Sequence, residues 1–164
     1  MTTPSIDGVR VLPLAYERVV PEHFTDANGH MNIVRYMQVH NSAAWNYLGR
    51  FGLGKDDARQ GRAGIFDIEH HVRYLREIHV GDHVAVHTRL LARSDKGLHA
   101  MQFLVNMTRN ELANTLEWVS LSVDMSTRRS APFPPNVGAL LDAQLLIDQA
   151  LNWPVPAAGA MGLS

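Results

Sequence analysis

The sequence predicts an α+β hotdog architecture: an antiparallel five-stranded sheet wrapped around one long central helix. Three observations carry that prediction. Apolar residues recur at helical spacing over residues 32–51, the period switches to the strand value of two from residue 65 onward, and no other segment is long enough to cover the sheet that results.

The elements follow in order. Residues 11–21, "VLPLAYERVVP", are rich in β-branched and aromatic residues between prolines and read as a first strand. The helix at 32–51 carries Ile33, Tyr36, Met37, His40, Ala44, Tyr47, Leu48 and Phe51 on one face. Val34, Val39 and Trp45 widen that face, so the helix is expected to be buried on most sides, and Gly52 and Gly54 stop it. A polar, glycine-rich connection, "GLGKDDARQGRAG", follows. In "IFDIEHHVRYL" Phe66, Ile68, His70, Val72 and Tyr74 alternate against Asp67, Glu69, His71 and Arg73. Further strands are expected over 83–93, 98–108 and 112–125, joined by short turns in "IHVGD", "SDKG" and "RNE" at the lengths of an antiparallel meander. "APFPPN" ends the last strand, and Asn136 is placed to cap a short helix over 136–151. The tail beyond it reads as loose. The whole, 1–164, reads as a single domain with its core at about 10–130. One face and the sheet edge stay open in this scheme, which predicts a homodimer or homotetramer.

Composition excludes several classes. With 46% hydrophobic and 19% charged residues the chain is of ordinary globular type, and a net charge of −1 gives no general pull toward nucleic acid or an anionic membrane. There is no cysteine, so disulfides, thiolate nucleophiles and cysteine-based metal sites are ruled out. No apolar run reaches the ~18 residues of a membrane span, and the N-terminus has no secretory pattern, so a cytoplasmic protein is expected. Nine histidines raise a metal site. However, "EHH" at 69–71 points its two histidines to opposite faces, and His83 and His87 lack accompanying ligands; no metal and no cofactor is expected.

The chemistry-bearing stretch is "DANGHMNIVRY". Asp26, Asn28, Gly29, His30 and Asn32 fall within seven residues, directly before the long helix. Asp, Asn and Gly are turn and cap residues, so a turn followed by a cap is the plain structural reading. The same residues also suit acyl transfer. A helix N-terminus at Asn32 and Ile33 offers free N–H donors to a developing oxyanion, Asp26 supplies a base or nucleophile, and Gly29 permits close backbone approach.

The pattern D-x-x-G-x-x-x-x-x-x-Y (Asp26, Gly29, Tyr36) resembles the hotdog-fold acyl thioesterases, the group of 4-hydroxybenzoyl-CoA thioesterase and the plant acyl-ACP thioesterases. The richer D-x-N-x-H-x-N (Asp26, Asn28, His30, Asn32) is similar to the acyl-ACP enzymes. A second patch, "RYLREIHVGD", resembles their Y-x-x-E/P-x-x-x-G-D segment at Tyr74, Glu77, Gly81 and Asp82. The resemblance implies an acyl-CoA thioesterase. Asp26 would be its nucleophile or general base, Asn28, His30 and Glu77 further catalytic groups, and the Ile33 N–H the donor to the thioester carbonyl. Where the plant enzymes carry a cysteine this chain has Ile78, so no thiolate mechanism is available. Tyr36 joins the substrate-binding set through the motif. Arg73, Arg76, Arg128 and Arg129 are candidates for the phosphates of coenzyme A, or ordinary charged strand ends. Trp45, Tyr47, Phe66 and Trp118 are core by default, or some of them line an acyl pocket or box a cationic acyl group. "VDMSTRR" is similar to hotdog enzymes acting on betainyl-CoA. Two alternatives stand beside hydrolysis: a hotdog enoyl-CoA hydratase or dehydratase, and a non-catalytic acyl-CoA-binding module.

Overall fold

A computed structural model describes residues 3–61 and 64–163. In chain order the elements are α1 (Ile6–Arg10), β1 (Leu14–Val19), a 3-10 turn at Glu22–Phe24, α2 (Ile33–Gly49), α3 (Lys55–Arg59), β2 (Gly64–Tyr74), β3 (His83–Arg93), β4 (Gly97–Asn106), β5 (Glu111–Asp124), β6 (Arg129–Ser130) and α4 (Pro135–Gln149). The five long strands form one antiparallel sheet curled against α2, in the order β1-β3-β4-β5-β2, with the two-residue β6 added to the end of β5. This is the hotdog arrangement.

The strand order corrects the simple meander. β3, β4 and β5 do follow one another through short turns, but β2 pairs with β5 over its whole length, on the far side of the sheet from β3. "IHVGD" is thus a crossing segment rather than a hairpin turn. That crossing carries Ile78 past the start of α2.

Tyr36, Val39, His40, Ala43, Tyr47 and Leu48 of α2 are buried, a stripe at i, i+3, i+4, i+7, i+11 and i+12. They pack on inward-facing Val84, Val86, Leu90, Ala100, Leu104 and Trp118. The helix is buried along one face rather than most: Ile33 and Val34 are each 63% exposed. Gly52, at φ +77°, takes the chain out of the helix in a conformation that side chains with a Cβ adopt with difficulty.

The outer face of the sheet has its own cover. Val9 and Leu12 pack with Met101, Phe103, Val105 and Leu112 beneath Leu151, Trp153 and Val155. The tail is therefore fastened, not loose. The Arg89 guanidinium donates to the carbonyls of Asp148, Leu151 and Trp153 and lies over the Trp153 ring, and the Ala158 N–H donates to buried Glu117 at 2.7 Å. Before it, α4 begins at Pro135 with Pro134 as the capping position, not at Asn136. Proline suits the first helical turn, where its missing N–H costs nothing. The glycine-rich connection contains α3, and its residues 62–63 lie outside those described.

Candidate active site

The loop between the 3-10 turn and α2 folds on itself. Thr25 bridges Met31, the Asp26 N–H donates to the His30 carbonyl, and the Gly29 N–H donates to the Asp26 carbonyl, both at 3.1 Å. The turn needs Gly29 at φ +83°; a Cβ there would meet open space, so conformation and not crowding selects glycine. Asp26 Oδ1 accepts the Asn28 N–H at 2.8 Å, and Asp26 Oδ2 lies 3.4 Å from Asn32 Nδ2. His30 Nδ1 stands 4.0 Å from Asp26 Oδ1. Asn32 caps α2: its Oδ1 accepts the Val34 N–H at 2.9 Å and its carbonyl the Arg35 N–H at 2.8 Å. The Ile33 N–H, between them, has no acceptor among the described residues. A carboxylate thus sits beside a helix N-terminus with one N–H that no described group accepts.

The second motif meets the first here. The Met31 N–H donates to the Ile78 carbonyl at 2.7 Å, the Tyr36 hydroxyl is 3.5 Å from the Arg76 carbonyl, and the Tyr36 and Tyr74 rings pack edge to face at 5.1 Å. Burial pushes the Tyr36 phenol up to about 12, so it stays a neutral donor. Glu77 lies between Arg76 and Ile78, but its side chain is 66% exposed and pairs with His79 Nε2 at 3.6 Å rather than with Asp26 or His30.

The arginines are scattered. Arg73 pairs in register with Thr115 on β5, whereas Arg129 pairs with Asp124 and Arg128 occupies the adjoining turn at φ +59°. At ~3.4 Å per strand residue the two groups are roughly 30 Å apart. They cannot grip one phosphate within a single chain. His83 pairs with Glu17 of β1 at 3.2 Å, and His87 Nδ1 is 3.0 Å from the carbonyl of Leu12, ahead of β1.

Two groups escaped the sequence reading. His40, placed with the apolar face of α2, is fully buried, with Nδ1 2.7 Å from Gln102 Oε1 and Nε2 2.6 Å from Asn114 Oδ1. Burial holds its pKa below the ordinary value despite those amides. Asp67 was assigned to the face opposite His70. A β-bulge between Asp67 and Glu69 breaks the alternation, so Asp67 pairs with Ser120 while His70 pairs with Trp118, and both turn toward α2. A cavity of about 230 Å³ opens there, lined by Met37, His40, Asp67, His70, Leu116 and Trp118 among others. No periodicity argument finds a bulge in advance; a carboxylate interrupting an apolar strand was the only signal.

A curled sheet on one helix defines a hotdog protein, and a carboxylate, a histidine and an N–H without a described acceptor gather at that helix's start. The sequence matches the thioesterase-like superfamily over residues 19–141, and the chain belongs to it. Its relatives include the L-carnitine dehydrogenase/betainyl-CoA thioesterase of Agrobacterium fabrum, 34% identical over 77% of this chain but 26% of that one, and the betainyl-CoA thioesterase of Pseudomonas aeruginosa, 29% identical over 90% and 93%. The chain thus spans about a quarter of the length of the first relative and nearly all of the second. Among solved structures a Staphylococcus aureus protein in complex with CoA superposes with a TM-score of 0.81 over 93% of this chain and 97% of that one, at 23% identity. The kinship is with enzymes that hydrolyse coenzyme A thioesters.

Proposed function

We propose that the chain hydrolyses an acyl-CoA thioester to the free acid and coenzyme A, with Asp26 as the attacking or water-activating carboxylate. The observation that carries this reading is the adjacency of the Asp26 carboxylate and the unpartnered Ile33 N–H on either side of Asn32. A thioester carbonyl resting on that N–H sees the positive end of α2, and such a donor is worth ~3 kcal/mol to a developing oxyanion. Coenzyme A leaves as a thiolate without strong protonation, so a carboxylate with one histidine suffices. His30, 4.0 Å from Asp26, closes toward it or toward the water during turnover. Gly29 and Asn32 build the turn and cap, Asn28 supplies the N–H that fixes Asp26, and Tyr36 holds the second motif against the helix. Glu77 is assigned no reacting atom, because its side chain faces solvent.

The free edge of β2 supports pairing of two copies. β2 is hydrogen-bonded on one side only among the described strands and presents exposed Phe66, Ile68 and Tyr74. Both relatives above carry betainyl-CoA thioesterase in their names, which makes a betainyl thioester the first substrate to try. A thiol-release panel of short, long, aromatic and betainyl thioesters tests the activity. Hydration of an enoyl-CoA without thiol release would point to the hydratase alternative, and tight acyl-CoA binding without turnover to the binding module.

A further inference from the structure

Two arginines outside the sets weighed above stack on one ring beside the start of α2. The Arg18 guanidinium of β1 lies 4.2 Å from the centre of the Phe24 ring and that of Arg35 lies 5.3 Å from it, so the two charges are less than ~10 Å apart. Neither has a carboxylate within ion-pair distance among the described residues, Glu22 and Asp26 of the same loop included. Arg18 makes two long bonds, 3.4 Å to the Val19 carbonyl and 3.5 Å to the Tyr16 hydroxyl, and Arg35 Nη1 donates to Gln38 Oε1 at 2.9 Å. Stacking engages the face of a guanidinium and leaves its in-plane N–H groups free, the edge that grips phosphate oxygens in pairs. Arg35 also stands where a cation is opposed. It is the third residue of α2, whose first turn carries no acidic residue, at the positive end of the helix dipole.

We propose that Arg18 and Arg35, held on Phe24, grip the diphosphate of coenzyme A. This rests on the thioesterase reading above and names residues that hold its substrate. The Phe24 carbonyl accepts the Asn32 N–H at 2.8 Å, which puts the Phe24 ring within ~13 Å of the Ile33 N–H by standard bond lengths. The arm of coenzyme A from sulfur to the first phosphorus is about thirteen bonds long and spans up to ~15 Å, at ~3.4 Å per three bonds of extended chain. A thioester on the Ile33 N–H therefore delivers its diphosphate to the two guanidiniums, and the 3′-phosphate, beyond the ribose, lies farther out. Arg128 and Arg129 sit past the Gly64 end of β2, ~30 Å by strand rise from Tyr74, which touches Tyr36 of α2. Arg76, at the near end, is already paired with Glu111 at 3.7 Å.

The test measures calorimetric affinities for coenzyme A, dephospho-coenzyme A and pantetheine, with thiol-release kinetics beside them. Wild-type protein should bind the two nucleotides alike and pantetheine at least ~10-fold more weakly. Arg18→Gln and Arg35→Gln, each confirmed folded by thermal unfolding, should weaken binding of both nucleotides about tenfold and leave pantetheine within about twofold of wild type. Equal losses for pantetheine and coenzyme A would mark the arginines as braces for Phe24 and overturn the proposal. So would an unchanged coenzyme A affinity in both variants. A loss seen with coenzyme A but not with dephospho-coenzyme A would put the 3′-phosphate there and overturn the diphosphate assignment. Absence of thiol release from every thioester, with the coenzyme A preference present in wild type and lost in the variants, would instead refute hydrolysis and leave the phosphate site standing.

Discussion

The Met31 N–H donates to the Ile78 carbonyl at 2.7 Å, joining two motifs that lie about fifty residues apart in the chain. With the Tyr36 hydroxyl facing the Arg76 carbonyl, this clamps the loop that holds Asp26 onto the segment crossing from β2 to β3. The loop that carries Asp26 is therefore positioned by the Met31 N–H and the Tyr36 hydroxyl against backbone carbonyls of the second motif. The Glu77 side chain within that motif is not required for the positioning.

That division predicts unequal effects of two carboxylate substitutions. Asp26→Asn should reduce kcat/KM by at least ~100-fold, the scale of a lost general base. Glu77→Gln should change it by less than about threefold, since an exposed ion pair of this kind contributes little. Thiol-release kinetics on both variants, each confirmed folded by circular dichroism, reads the contrast directly. Equal losses would move the chemistry onto both carboxylates.

Asn32 does structural work that Asp26 does not. Asn32→Ala removes the acceptor for the Val34 N–H and should cost about 1 kcal/mol in denaturant unfolding. Its activity should fall as well, because the Asn32 amide also touches Asp26. Asp26→Asn keeps an acceptor for the Asn28 N–H and should unfold close to wild type.

Acid should loosen the core through His40. Its folded pKa lies below the ordinary 6.5, so the unfolded chain takes up the proton more readily. The stability tied to the neutral ring is fully present above pH 6.5 and is lost as pH falls below it. His40→Gln can still hydrogen-bond but cannot titrate. It should flatten the fall of unfolding free energy with acid by up to ~1.4 kcal/mol per pH unit relative to wild type. An unaltered slope would assign the acid sensitivity to other histidines.

Assembly through β2 gives the fourth expectation. Ile68→Lys places a charge on the exposed part of that strand and should shift the protein toward monomer in analytical ultracentrifugation. The corresponding change on the short β1 edge, Val19→Lys, should leave the sedimentation coefficient unaltered.

Much of this molecule was legible in one dimension. The helical stripe from Tyr36 to Leu48, the strand runs of β3, β4 and β5, and the turn-and-cap residues from Asp26 to Asn32 all follow from local periodicity and turn chemistry, and the structure repeats them. The match of both motifs to a thioesterase pattern needed only their order. What lay beyond local reasoning concerns partners distant in sequence. Whether β2 pairs with β3 or β5 depends on how the sheet closes over α2, and a short connection permits either. Whether Glu77 faces Asp26 or solvent depends on which side of the crossing segment meets the helix.

The sequence by itself determined the inventory: one long helix, five strands, a carboxylate-bearing loop at the helix start, and no cysteine. Those follow from forces that act within a few residues, namely backbone sterics, capping and alternation of apolar side chains. Only the tertiary structure decided that Met31 and Ile78 meet, that the tail is pinned by Glu117 and Arg89, and that a one-residue slip in β2 turns Asp67 toward the helix. A bulge costs little locally and is selected by how the two paired strands pack on α2, so its consequence for the site cannot be read from β2 alone.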